Sequence, residues 1–112
     1  MHLDRELFQW EKDRVLLIEP NTNLEQIYCV QFYNKKSKIS EESIPEGNKV
    51  KIPNILLTQN IPLTAVICGV EGEGTQVLGY KTFRVLPRLK PQSYQDDDEE
   101  ILIFGGGASG TT

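Results

Sequence analysis

Apolar residues alternate with polar ones almost everywhere from Leu7 to Leu86, in short runs separated by turn formers. Period two places successive side chains on opposite faces of an extended chain, which is the pattern of a strand with one face buried. Such runs at short spacing, rich in β-branched and aromatic residues, predict an all-β domain of the sandwich or small-barrel kind. The expected fold is one antiparallel β-sandwich of about seven strands, immunoglobulin-like in arrangement, with a flexible C-terminal tail.

The runs can be placed one by one. Leu7-Phe8-Gln9-Trp10 reads as a short strand, turned by Glu11-Lys12-Asp13 into a second strand over 14–19. Residues 26–33 are apolar or aromatic on both faces, which suits a central strand. The polar stretch 34–48 reads as a ragged edge strand whose lysines discourage pairing with other sheets. Val50-Lys51-Ile52 is a short strand, broken by Pro53-Asn54. Ile55-Leu56-Leu57 then forms a helical turn that plugs one end of the core. Residues 62–70 are the strongest strand, and Glu71-Gly72-Glu73-Gly74 turns it into the longest, over 75–86, the glycines supplying the positive φ of the loop. The expected core is Phe8, Trp10, Leu16, Ile18, Ile27, Cys29, Val30, Phe32, Ile52, Leu56, Ala65, Ile67, Phe83 and Val85, with Trp10 partly buried beside the plug.

A length of 112 residues suits one domain with a core that needs no metal or disulfide staple. The net charge of -4 is concentrated in the run Asp96-Asp97-Asp98-Glu99-Glu100, so the remainder has no basic footprint for nucleic acid. No apolar stretch is long enough to span a bilayer as a helix. The charged N-terminus does not read as a signal peptide. Cys29 and Cys68 both lie in strand-like runs. They read either as an inter-sheet bridge of the immunoglobulin type or as two buried, reduced thiols, and a reducing compartment favours the second.

Catalytic chemistry is hard to assemble from these residues. The single histidine, His2, lies at the terminus and is expected to be disordered, which removes His-dependent nucleophile and metal schemes. The cysteines lack CxxC spacing, and the acidic run lacks the alternating ligand and glycine positions of a calcium loop. Gly72-Glu73-Gly74 is not followed by the helix and Lys-Ser/Thr of a phosphate loop. No catalytic residue, cofactor or metal is expected, and the chain reads as a non-enzyme. Trp10, Tyr28, Phe32, Tyr33, Tyr80 and Phe83 could line a sugar-stacking face, but aromatics on alternating strands more often form core or cross-strand pairs. Tyr33 and Tyr80 are the two expected to be exposed, and therefore the glycan contacts of that second reading.

The domain is expected over 1–94 and a separate tail over 95–112. Pro87 and Pro91 stiffen the exit. After the acidic run comes an apolar island, Ile101-Leu102-Ile103-Phe104, and then the linker-like Gly105-Gly106-Gly107-Ala108-Ser109-Gly110. The island is either a terminal edge strand folding back on its own sheet or a docking strand added to a neighbour.

Three segments together resemble a known family. Phe8-Gln9-Trp10-Glu11 through Arg14, Ile52-Pro53-Asn54-Ile55-Leu56-Leu57, and Phe83 through Tyr94 with Val85, Arg88, Lys90 and Pro91 look like the N-terminal domain of phage baseplate upper proteins and related tail- or head-fibre attachment domains from Gram-positive hosts. The resemblance covers about residues 6–94. In those relatives the exit is followed by a receptor-binding, coiled-coil or fibre region, whereas here residues 105–112 follow. The resemblance implies a virion component assembled in the host bacterial cytoplasm. Its partners would be other virion proteins, and copies would form a homo-oligomer or symmetric array on the particle. It implies no catalytic residues.

Overall fold

The computed structural model describes residues 1–19, 22–34, 36 and 38–95. The described residues are mostly β, with 49% strand and no α-helix among them. Nine strands follow one another: β1 (His2–Leu3), β2 (Leu7–Phe8), β3 (Val15–Leu17), β4 (Ile27–Asn34), β5 (Ile39–Ser43), β6 (Lys49–Lys51), β7 (Leu63–Glu71), β8 (Gly74–Phe83) and β9 (Val85–Leu86). Two 3-10 turns, Leu24–Gln26 and Asn54–Leu57, interrupt them.

The strands make three sheets: β5-β4-β7-β8, β1-β3-β6, and the pair β2-β9. The four-stranded sheet is antiparallel throughout and matches its sequence pattern closely. As expected, β4 is central and β5 is an edge. The β7–β8 hairpin closes through Gly72 and Glu73. Of the two glycines flanking that loop only Gly72 carries positive φ, +61°, while Gly74 is already paired with Glu71. Two bulges interrupt the ladder. One lies between Ile27 and Cys29 against β7, and the other lies against β8 between Ile67 and Cys68.

The N-terminal region departs from expectation. Leu7-Phe8 does not form a hairpin with β3. Its two residues pair parallel with Val85-Leu86, whereas the other ladders among the described residues are antiparallel. The reason lies in the intervening loop: Trp10 has φ 68° and Asp13 φ 56°, so the chain curls around Arg14 instead of turning tightly back. β3 pairs instead with β1 and β6. His2 is part of β1, and its ring Nδ1 lies 3.3 Å from the Glu19 carboxylate, so the terminus is ordered.

One buried cluster draws on all three sheets, joining Leu7 and Val85, Leu16 and Val50, and Val30, Phe32, Leu63, Ala65, Ile67 and Phe83. Leu56 and Leu57 of the second 3-10 turn are buried in it, which is the expected plug, although Ile55 points outward at 39% exposure. Leu7 and not Phe8 is the inward residue of β2. Phe8, Trp10 and Ile27 are only partly buried: Phe8 ends β2, Ile27 begins β4, and Trp10 lies in the turn after β2. Cys29 and Cys68 are both buried and both free. They stand on adjacent strands of one sheet, so the inter-sheet bridge of immunoglobulin domains is ruled out for this pair.

Candidate functional site

The three segments that stand out in the sequence meet at one corner of the domain. Gln9 N–H donates to Leu86 O (2.8 Å), Trp10 N–H to Leu57 O (2.7 Å), and Asp13 N–H to the Asn54 side chain (2.9 Å). The Arg88 guanidinium donates from Nε to Gln9 O and from Nη2 to Trp10 O, each at 2.9 Å. Residues from the first loop, the plug and the exit therefore hold each other through backbone groups. A bulky aromatic with positive φ is uncommon and costs free energy, so it persists only where its surroundings fix it. Here both polar groups of the Trp10 backbone are tied.

Beneath the corner lies an ion cluster. The Arg14 side chain is 5% exposed, and its guanidinium donates to Glu6 O (2.8 Å), Arg5 O (2.7 Å), Asp4 Oδ1 (3.2 Å) and the Glu11 carboxylate. Glu11 also accepts from Phe8 N–H (2.8 Å) and Arg5 Nη1 (3.0 Å). Burial alone would raise the Glu11 carboxyl. The Phe8 N–H and the Arg14 and Arg5 guanidinium groups outweigh it and hold the group below its ordinary value. Removing one member of such a cluster strands the others, so it fixes the loop geometry more than it adds net stability.

On the outside, the rings of Trp10 and Tyr94 meet edge to face, their centroids 5.2 Å apart. Lys90 Nζ lies 5.1 Å from the Trp10 ring and Lys12 Nζ lies 4.7 Å from the Tyr94 ring, both within cation–π range. Lys12 also donates to Gln95 O, pinning the last described residue. A cleft of about 420 Å³ opens here, where Arg5, Lys12, Arg14 and Arg88 face a single carboxylate, Glu11. Half-exposed Trp10 and Tyr94 beside the exposed Arg88 are side chains of the kind that dominate protein interfaces. The excess of cations favours an acidic partner. The corner supplies no nucleophile paired with a base, and among the described residues no group of three metal-ligating side chains converges.

The sequence signalled the segments but not their meeting, nor the burial of Arg14. A charged residue opening an apolar run reads as a strand end, and only the four acceptors around it reveal otherwise.

The two tyrosines of the glycan reading share the outer face of the four-stranded sheet. Tyr80 is 74% exposed, while Tyr33 is half-buried beside an open hollow lined by Gln31, Ser40, Glu41 and Glu42. Tyr33 pairs with Thr64, and Tyr80 with Val66, so a whole strand separates them. At about 4.8 Å per strand their backbones lie about 10 Å apart laterally, too far to grip one sugar ring between them. Tyr28, weighed with the other aromatics but not among the two expected to be exposed, is 46% exposed, because the bulge turns it out of the β4 alternation. Ile101, Leu102, Ile103 and Phe104, the expected docking strand, lie outside the described residues.

No family model, curated protein or solved structure matches the chain. No helix among the described residues is long and apolar enough to cross a membrane.

Proposed function

We propose that the chain is a virion structural protein, a tail, baseplate or capsid-surface attachment module that acts by protein–protein docking and catalyses nothing. Its β-domain is an immunoglobulin-like sandwich, with the four-stranded sheet as one layer and the shorter strands as the other. The carrying observation is the corner: the three segments behind the family resemblance converge there into an aromatic and cationic surface held rigid by Arg14. Partners are other virion proteins, presented as a ring or lattice of identical sites, so copies of this chain form a symmetric array on the particle. It assembles in the bacterial cytoplasm.

The test is mass spectrometry of purified phage particles from a producing host. The chain at integral stoichiometry to a tail or capsid protein is expected. Particles that lack it overturn the reading. Lys12→Glu with Lys90→Glu should leave the domain folded and reduce incorporation, because both substitutions reverse charge beside the aromatic pair.

The alternative is a carbohydrate-binding module for host-surface or partner glycans. What favours it is Tyr80, whose ring stands free on a sheet face that also carries Tyr33 and the hydrogen-bonded pair Gln31–Glu42. Their spacing suits successive sugars of a chain. Glycan-array signals that vanish on Tyr33→Ala or Tyr80→Ala would establish it.

A further inference from the structure

Strands β4 and β7 place Cys29 directly opposite Cys68. Opposed Cα atoms in an antiparallel ladder are about 4.5 or 5.5 Å apart, and both spacings fall within the roughly 4.4–6.8 Å that a disulfide spans. Side chains of an opposed pair leave the same face of the sheet. In the reduced state the Cys29 thiol donates to the Glu42 carboxylate (3.7 Å) and the Cys68 thiol to Val66 O (3.8 Å). Cys29 is 5% exposed and Cys68 7%, and the chain has no third cysteine to compete.

We propose that Cys29 and Cys68 form a modification site, a two-electron dithiol couple that a small-molecule disulfide oxidises to a cross-strand disulfide without a change of fold. The thiolate of one cysteine attacks a sulfur of oxidised glutathione, forming a mixed disulfide and releasing one glutathione thiolate. The facing cysteine gives up its proton to solvent and attacks the protein sulfur of that mixed disulfide. The Cys29–Cys68 bond forms as the second glutathione leaves. Two protein thiols are oxidised, and one oxidised glutathione is reduced to two thiols.

Burial and then the neighbouring Cys68 push the Cys29 thiol up to about 12, so it is protonated at neutral pH. The thiolate is the reactive form, which makes the first exchange slow. The second is fast by comparison, because the resolving sulfur is already in place. The bond would join residues far apart in sequence and restrict the unfolded chain.

The full chain is incubated with oxidised glutathione, quenched in acid, alkylated and weighed intact. The expected product is a monomer lighter by two hydrogens, free of glutathione and closed to alkylation. Its melting temperature is raised by roughly 10 °C, and dithiothreitol restores the original value. Cys29→Ala and Cys68→Ala should each lose that rise and hold one glutathione instead. A stable mixed disulfide on the wild-type chain, a cross-linked dimer, or closure only in denaturant overturns the proposal. So does closure that lowers the melting temperature. The wild-type measurement with its reversal by dithiothreitol stands even where an alanine variant does not fold.

Discussion

Trp10 and Tyr94 pack edge to face at 75°, one from the first loop and the other from the exit segment after the last strand. Each ring also lies under a lysine, Lys90 for Trp10 and Lys12 for Tyr94. The contact closes the domain at the point where the chain leaves it.

Trp10 combines a half-buried ring with a strained backbone, and the two effects can be separated. Full burial of a tryptophan is worth about 3–5 kcal/mol against alanine, so Trp10→Ala should cost about 2 kcal/mol for a half-buried ring. Trp10→Gly removes the same ring but is at ease at φ 68°. The glycine variant should therefore be more stable than the alanine variant by about 1 kcal/mol. Urea denaturation of the two proteins measures the difference. A glycine variant weaker than alanine would show that the loop conformation is unstrained.

Arg14 is the test of the ion cluster. Arg14→Met should cost about 3–5 kcal/mol, because Glu11 loses its buried partner and keeps only the exposed Arg5 guanidinium and the Phe8 N–H, while two carbonyl oxygens lose a donor. Arg14→Lys keeps the charge but not the planar fork that reaches several acceptors, so it should recover only part of that loss. Thermal melts of the three proteins decide it. Equal stability of the lysine variant and wild type would mean that charge alone matters.

The cluster also predicts a pH dependence. A carboxyl held low in the folded state stabilises the fold above its ordinary value and loses that contribution as pH falls through the folded value. For Glu11 the ordinary value is 4.5, so the stabilisation is complete at neutral pH and declines on acidification below that point. Glu19 acts in the same direction, held low by the N-terminal ammonium and then by His2. Melting temperature measured from pH 7 downward should fall, and Glu11→Gln should fall less steeply. A parallel pair of curves would exclude Glu11 as a contributor.

The sequence makes some of this legible and hides the rest for physical reasons. Strands β4, β7 and β8 announce themselves because each is long enough for its alternation to set which face is buried. The β7–β8 pairing follows from their being neighbours in sequence, whereas the β4–β7 pairing does not. The plug was readable from Pro53-Asn54 and three aliphatics. The pairing of Leu7-Phe8 with Val85-Leu86 was not, since a two-residue strand carries no periodicity and its partner lies at the other end of the domain. Trp10 and Asp13 gave no sign of positive φ, a conformation that the Trp10 backbone bonds to Leu57 and Arg88 impose from outside. The motif residues of the corner were visible singly, but their convergence rests on such long-range bonds.

Glycine positions separate conformational need from simple exposure. Gly72→Ala should cost about 1 kcal/mol, because φ +61° disfavours any Cβ even though nothing crowds it. Gly79→Ala should be neutral or stabilising, since an added Cβ there meets nothing within 4 Å and the backbone is ordinary strand. Equilibrium denaturation of both variants checks the contrast, and equal effects would contradict the assigned turn.

Among the described residues the four-stranded sheet ends at β5 and β8, and the tail can be tested against those two edges. β5 is short and presents Glu41 and Glu42, the kind of charge that blocks strand addition. β8 is ten residues long with Lys81 its single charge, so it is the unguarded edge. Backbone pairing to such an edge supplies affinity, and pockets for alternate side chains supply selectivity. The segment Ile101-Leu102-Ile103-Phe104 is expected to dock on the β8 edge of a neighbouring copy. Deleting residues 101–112 should leave the melting temperature within about 3 °C of wild type, because among the described residues the buried cluster ends at Val85. Incorporation into particles should be lost. Val77→Lys, at a position 60% exposed on β8, should reproduce that loss with the fold intact. Normal incorporation of both proteins would leave the Trp10–Tyr94 corner as the docking surface without any contribution from the tail, and unfolding of the truncated chain would make the segment an intrinsic strand of the domain.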